Sequence, residues 1–100
     1  MISIDITKDP VRIVSKGHAT GAGLAGANLV CCAVSTLMYT LLSAADEKGI
    51  VSSFSMADGF MDITLERDDG SVGTVLSGLE SLASQYPAYI TIRKEHADGG

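Results

Sequence analysis

Four glycines fall within the ten residues Gly17 to Gly26, in the run Gly17-His18-Ala19-Thr20-Gly21-Ala22-Gly23-Leu24-Ala25-Gly26. Each glycine costs extra backbone entropy to order, so such a run reads as a loop rather than a helix or strand. It cuts the chain into a short segment before it and a long one after it, and each must find its own regular structure.

Before the loop, Ile2, Ile4 and Ile6 alternate with polar residues, the period of a half-buried strand. Asp9-Pro10 marks a turn, and the β-branched run Val11 to Lys16 completes a hairpin. After the loop, Asn28 fits a helix N-cap. Val30, Ala33, Val34, Leu37, Leu41 and Ala45 follow at helical spacing, and Lys48-Gly49 reads as the helix end. The expected helix runs from about Leu29 to Lys48. Ile50 to Ala57 and Phe60 to Arg67 read as strands joined by Asp58-Gly59, a short hairpin signal. Asp68-Asp69-Gly70 is a turn. Val72, Val75, Leu76, Leu79, Leu82 and Ala83 give a second amphipathic helix, Pro87 stops it, and Ala88 to Arg93 is a last strand. The expected fold class is α+β in the order ββαββαβ, two helices on one face of a mostly antiparallel sheet. Residues 1–95 form a single domain, and 96–100 are expected to fray.

Several function classes lose support from composition. The net charge of −5 argues against direct nucleic-acid binding through a basic patch. An acidic body favours a basic partner. Cys31 and Cys32 are the two cysteines; adjacent residues meet disulfide geometry poorly, and no four-ligand metal set exists, so neither a metal nor a cofactor is expected. A chain without a disulfide framework fits a reducing, cytoplasmic location. Met1 to Pro10 lacks the basic start and apolar core of a signal peptide. Ser35, Thr36, Thr40 and Ser43 interrupt the longest apolar stretch, so no membrane span is expected.

Chemistry gathers at the loop and the first helix. Cys31 is expected in the first helical turn, where unpaired N–H groups and the helix dipole favour a thiolate. His18 sits where the loop leaves the preceding strand, and a Gly-rich loop can fold back to bring it to Cys31. Such a pair performs nucleophilic cleavage: the thiolate attacks a carbonyl, and the imidazole delivers the proton to the leaving amine. Free N–H groups at the helix start, that of Cys31 included, would hold the oxyanion. At about 100° per residue, Cys32 falls opposite the apolar centre and Cys31 on its border, the better place for a residue lining a cleft. Ser35, one turn on, shares the face of Cys31 and would orient the site or be a plain surface serine.

Plainer readings accompany these. Most cysteines and histidines in small domains are packing or surface residues. A phosphate held at a helix start is a rival reading of the glycine loop, but the loop lacks the P-loop pattern. Gly21, Gly23 and Gly26 match G-x-G-x-x-G in order, without the βαβ context that gives the motif meaning. His96, near Glu95 and Asp98, reads as a polar tail.

Gly17-His18-Ala19 followed by Gly26-Ala27-Asn28-Leu29-Val30-Cys31-Cys32-Ala33-Val34-Ser35 resembles the ribosomal-processing cysteine protease family called Prp. Leu79-Glu80-Ser81-Leu82 and Gln85-Tyr86-Pro87-Ala88-Tyr89-Ile90 resemble its second helix and closing strand. The resemblance implies a small homodimeric cysteine endopeptidase. Its partner would be a protein substrate, either the N-terminal extension of a bacterial large-subunit ribosomal protein or a phage structural protein. It implies Cys31 as nucleophile, His18 as base, and a loop carrying Gly21, Gly23 and Gly26 that orders on substrate. Two departures stand out. The family has Asp where this chain has Asn28, and Asn orients an imidazole without supplying charge. The family has Ala where this chain has Cys32, a bystander thiol or an oxidation partner. A catalytically weak or inactive peptide-binding module of the same fold is the alternative function, and Asn28 favours it. A purely structural α+β domain is the third.

Overall fold

Ile2, Ile4 and Ile6 point to one side of strand β1 (Ile2–Lys8) and are each at most 5% exposed, while Ser3, Asp5 and Thr7 between them are half-buried on the other side. That alternation sets the plan of the molecule. The computed structural model describes residues 1–17 and 24–95, with side chains for 1–17 and 29–94. After β1 come β2 (Val11–Lys16), α1 (Leu24–Glu47), β3 (Val51–Ala57), β4 (Phe60–Leu65), α2 (Ser71–Gln85) and β5 (Ile90–Glu95). The order is ββαββαβ, an α+β fold. The five strands form one sheet in the order β3-β4-β2-β1-β5. The β1–β2, β2–β4 and β3–β4 pairs are antiparallel, and β1–β5 is parallel, so the sheet is mixed.

Both helices pack against the face carrying the isoleucines. Helix α1 presents Val30, Val34, Met38, Leu41 and Ala45, each at most 3% exposed, and α2 presents Val72, Val75 and Leu79. These meet Ile4, Ile13, Ile63, Leu65 and Ile90 in one core. By length and composition Leu29–Glu47 is apolar enough to cross a membrane; its apolar stripe forms part of this core. On its exposed side, Thr36 Oγ1 donates to the Cys32 carbonyl (2.8 Å) and Thr40 Oγ1 to the Thr36 carbonyl (2.7 Å). The hydroxyls that interrupt the apolar stretch are thus satisfied within the helix itself.

The sheet's other face is polar. Arg12 forms a fork on Asp62 (Nε–Oδ1 3.0 Å, the second contact 2.6 Å), and Arg93 Nε meets Asp5 Oδ1 at 2.9 Å. The row Asp5–Val14–Asp62 runs across three strands, and Val14 is 7% exposed on this face. Long arginine stems beside it can shield such an apolar side chain while their heads stay wet.

The starts of α1 and β5 differ from the sequence expectation. Helix α1 begins at Leu24, so Asn28 is interior and does not cap it, and Gly26 belongs to the helix. The glycine penalty is about 1 kcal/mol relative to Ala; Leu24, Ala25 and Ala27, all strong helix formers, offset it. Strand β5 starts at Ile90, after the Tyr86–Tyr89 turn closed by the bond from Tyr89 N–H to the Tyr86 carbonyl (3.0 Å). The helix-to-sheet end is tied by Lys48, whose ammonium donates to Asp69 Oδ2, while Asp69 Oδ1 accepts the Ser71 N–H at the start of α2 (3.0 Å).

The Lys48 hydrogen bond, followed by those from Ser71, holds the Asp69 carboxyl well below the usual carboxylate range. A carboxylate whose folded pKa is depressed stabilises fully above its unfolded value of about 3.9, and that contribution is lost as pH falls below it toward the folded value. Asp69→Asn is therefore expected to lower Tm at pH 7 and to flatten the decline of Tm between about pH 5 and pH 2. Thermal melts across that range check it; a decline as steep as the parent's would remove Asp69 from the acid response.

Candidate active site

Strand β2 keeps its inward alternation at Ser15 but turns from apolar to polar there. Val11 and Ile13 face the helices as apolar residues, but the next inward position is Ser15, 9% exposed. Two residues on, Gly17 takes φ 98, a left-handed conformation that L side chains rarely adopt. A Cβ there would run into the Met1 carbonyl oxygen, a backbone atom. The Gly17 N–H donates to the Gly59 carbonyl at 2.8 Å, tying the end of β2 to the tip of the β3–β4 hairpin.

These elements border a cleft of about 310 Å³. Its helix wall carries Cys31, Cys32, Ser35 and Tyr39, at successive exposed or border positions of α1. Its other wall is Met56, Asp58, Gly59 and Phe60 of the β3–β4 hairpin, with Ser15 and Gly17 at the end of β2. Ile2, Val34, Met38 and Met61 make an apolar floor. Tyr39 and Met56 are 52% and 44% exposed, so apolar surface continues out of the cleft.

Cys31 is half-buried and Cys32 exposed, as the helical wheel predicts, and neither is disulfide-bonded. Ser35 lies in the same cleft as Cys31. His18, Gly21 and Gly23 lie outside the described residues, as does the side chain of Asn28. Gly17, the neighbour of His18 in the chain, lines the cleft.

The longer helix corrects the expected electrostatics of Cys31. In a helix starting at Leu24 the unpaired N–H groups are those of residues 24–27. Cys31 lies about two turns in, where the dipole's effect has largely faded. Its N–H is not among the free donors that could hold an oxyanion. Sequence reasoning missed the hairpin wall altogether. Asp58-Gly59 was legible as a turn, but nothing local says that the turn faces Cys31. Among the described residues no group of three His, Cys, Asp or Glu converges as a metal site would require.

Comparison with known proteins places this geometry. Residues 1–91 match the family model described as cysteine protease Prp. SMU.848 from Streptococcus mutans has a similar crystal structure, at 27% identity and TM-score 0.70, covering 95% of this chain and 92% of that one. Two crystal structures of the essential ribosomal processing protease Prp from S. aureus share the fold. One holds a covalently linked product peptide (23% identity, TM-score 0.76) and the other a substrate peptide (20%, 0.77); each comparison covers 95% of this chain and 100% of that one. No curated protein sequence matches the chain.

Proposed function

The chain belongs to the family of the cysteine protease Prp and is a cysteine protease, and we propose that Cys31 is its nucleophile and His18 its general base. The observation that supports this pairing most directly is the cleft itself. Cys31 stands on one wall, and Gly17, one peptide unit before His18, stands on the other. A Cys–His pair needs the two side chains across such a gap.

The reaction follows from the chemistry of the pair. The Cys31 thiol gives its proton to the imidazole, and the Cys31 sulfur forms a bond to the scissile carbonyl carbon. The C–N bond breaks as the imidazolium delivers that proton to the leaving amine. Water, deprotonated by the same imidazole, then releases the acyl group from sulfur. Ser35, on the same cleft wall, is the supporting residue that helps orient the site in this reading.

The proposed substrate is the N-terminal extension of a bacterial large-subunit ribosomal protein, with a phage structural protein as the alternative. The processing protease from S. aureus, of the same fold, has been crystallised with a substrate peptide. An apolar floor opening onto Tyr39 and Met56 suits side chains of an extended peptide. The net charge of −5 suits the approach of a basic substrate. A homodimer in the cytoplasm completes the proposal; the sheet's edge strand β3, with Phe54 55% exposed, offers a second copy an apolar face.

Incubating the purified chain with a ribosomal protein that carries its extension, and weighing both by intact mass, tests the proposal. The expected product lacks the extension and starts at a single new N-terminus. Substrate that co-elutes intact after long incubation would leave a peptide-binding module, the reading that Asn28 favours.

A further inference from the structure

We propose that Asp58 is a specificity-determining residue of this site, its carboxylate taking a Lys or Arg side chain of the bound peptide within about three residues of the scissile bond. The inference rests on the reading of Cys31 as nucleophile.

The make-up of the cleft carries it. Asp58 and Cys31 line the same space, Cys31 from α1 and Asp58 from the turn between β3 and β4. Among the described residues that line it, Asp58 is the one carboxylate, and none is Lys or Arg. Lys16, at the end of β2, lies on the opposite face of the sheet beside Asp5 and Arg12, where it acts on Asp62. It adds no positive charge to the cleft wall. A long cationic side chain matches this surface twice. Its hydrocarbon stem can cover Met56 and the apolar floor, while its charged head stays at the wet rim, where Asp58 is exposed. A carboxylate has about four acceptor positions on its two oxygens, so it can take a cation beside a hydrogen bond already made there.

Size sets the reach. A space of about 310 Å³ is about 7 Å across, and an extended peptide advances about 3.4 Å per residue. A chain with its scissile carbonyl at Cys31 therefore passes Asp58 within about three residues.

A peptide spanning the cleavage point, with Lys, Gln or Glu placed in turn at each of the three residues on either side, tests it. One readout is kcat/KM with the parent chain, Asp58→Asn and Asp58→Lys. The other is the Kd of the same peptides for the full-length Cys31→Ala chain, which is expected to hold them uncleaved. Asp58 does not take a positive φ, so Asn and Lys both fit its backbone, and the Tm of each variant is expected to match the parent's. At one position the parent is expected to favour Lys over Gln by about 5-fold, and Gln over Glu by about as much. Asp58→Asn should bring the Lys-to-Gln ratio to about 1, and Asp58→Lys should make Glu the preferred residue there. The Kd values should follow the parent's order. No preference for Lys at any position in the parent overturns the proposal without recourse to a variant. So does a preference that Asp58→Asn leaves in place, or a loss in Asp58→Asn that is equal for all three residues. Peptide cleaved by the Cys31→Ala chain defeats the underlying nucleophile assignment instead, whatever the charge preference.

Discussion

Cys31→Ala is expected to abolish cleavage, lowering kcat by about 10³-fold or more, while Cys32→Ala stays within about 3-fold of the parent. The two thiols are neighbours in sequence and line one cleft, so the contrast is demanding. It follows from where the helix aims them. Cys31 is half-buried at the border of the apolar stripe, packed against the core, and Cys32 is exposed. A nucleophile needs a fixed approach to the carbonyl, and errors of about 1 Å can cost 10²-fold. A side chain held by core packing meets that need; one turned to solvent does not. Alkylation at limiting reagent, followed by peptide mass mapping, is the companion measurement. Cys31 should label first, and its labelling alone should remove activity. Equal loss from both alanine variants would assign the thiols a joint role and defeat the separation.

The second large effect is expected from Gly17→Ala. At φ 98 an L side chain pays about 1–2 kcal/mol for the left-handed backbone. The added Cβ also meets the Met1 carbonyl oxygen, so backbone rather than a flexible side chain must give way. Together we expect about 2–4 kcal/mol of destabilisation, which for a domain of this size is a fall of about 10–25 °C in Tm. The bond to Gly59 that links β2 to the hairpin would be strained as well. Below the melting range kcat/KM should fall about 10²-fold, since position 18 follows directly. Gly49→Ala is the matched control: φ is 68 but nothing lies within 4 Å of a Cβ there. It should lose only the conformational part, about 1–2 kcal/mol, and keep full activity. Equal losses in the two variants would show that contact with Met1 carries no cost.

How much of this was readable beforehand varies by element. Ile2, Ile4 and Ile6, the Val30-to-Ala45 spacing and Asp58-Gly59 all announced their elements, because alternation and helical periodicity are local consequences of which face is buried. The start of α1 was misread. Capping and glycine penalties are each worth about 1 kcal/mol, and Asn28 and Gly26 look the same in sequence whether they stop a helix or lie inside it. With that boundary moved, the helix-start explanation for Cys31 falls, although its place on the border of the helix face does not.

By themselves, then, the residues determined the elements, their order and the side of α1 on which Cys31 lies. Tertiary structure alone decided that the tip of the β3–β4 hairpin faces that cysteine, that Gly59 receives the Gly17 N–H, and that Asp58 shares the cleft. The physical reason is that β2 and β4 are separated by the whole of α1 and β3. Their register is set by packing Val11, Ile13 and Ser15 beside Leu65, Ile63 and Met61 under the helices, a non-local condition that no short stretch of sequence expresses.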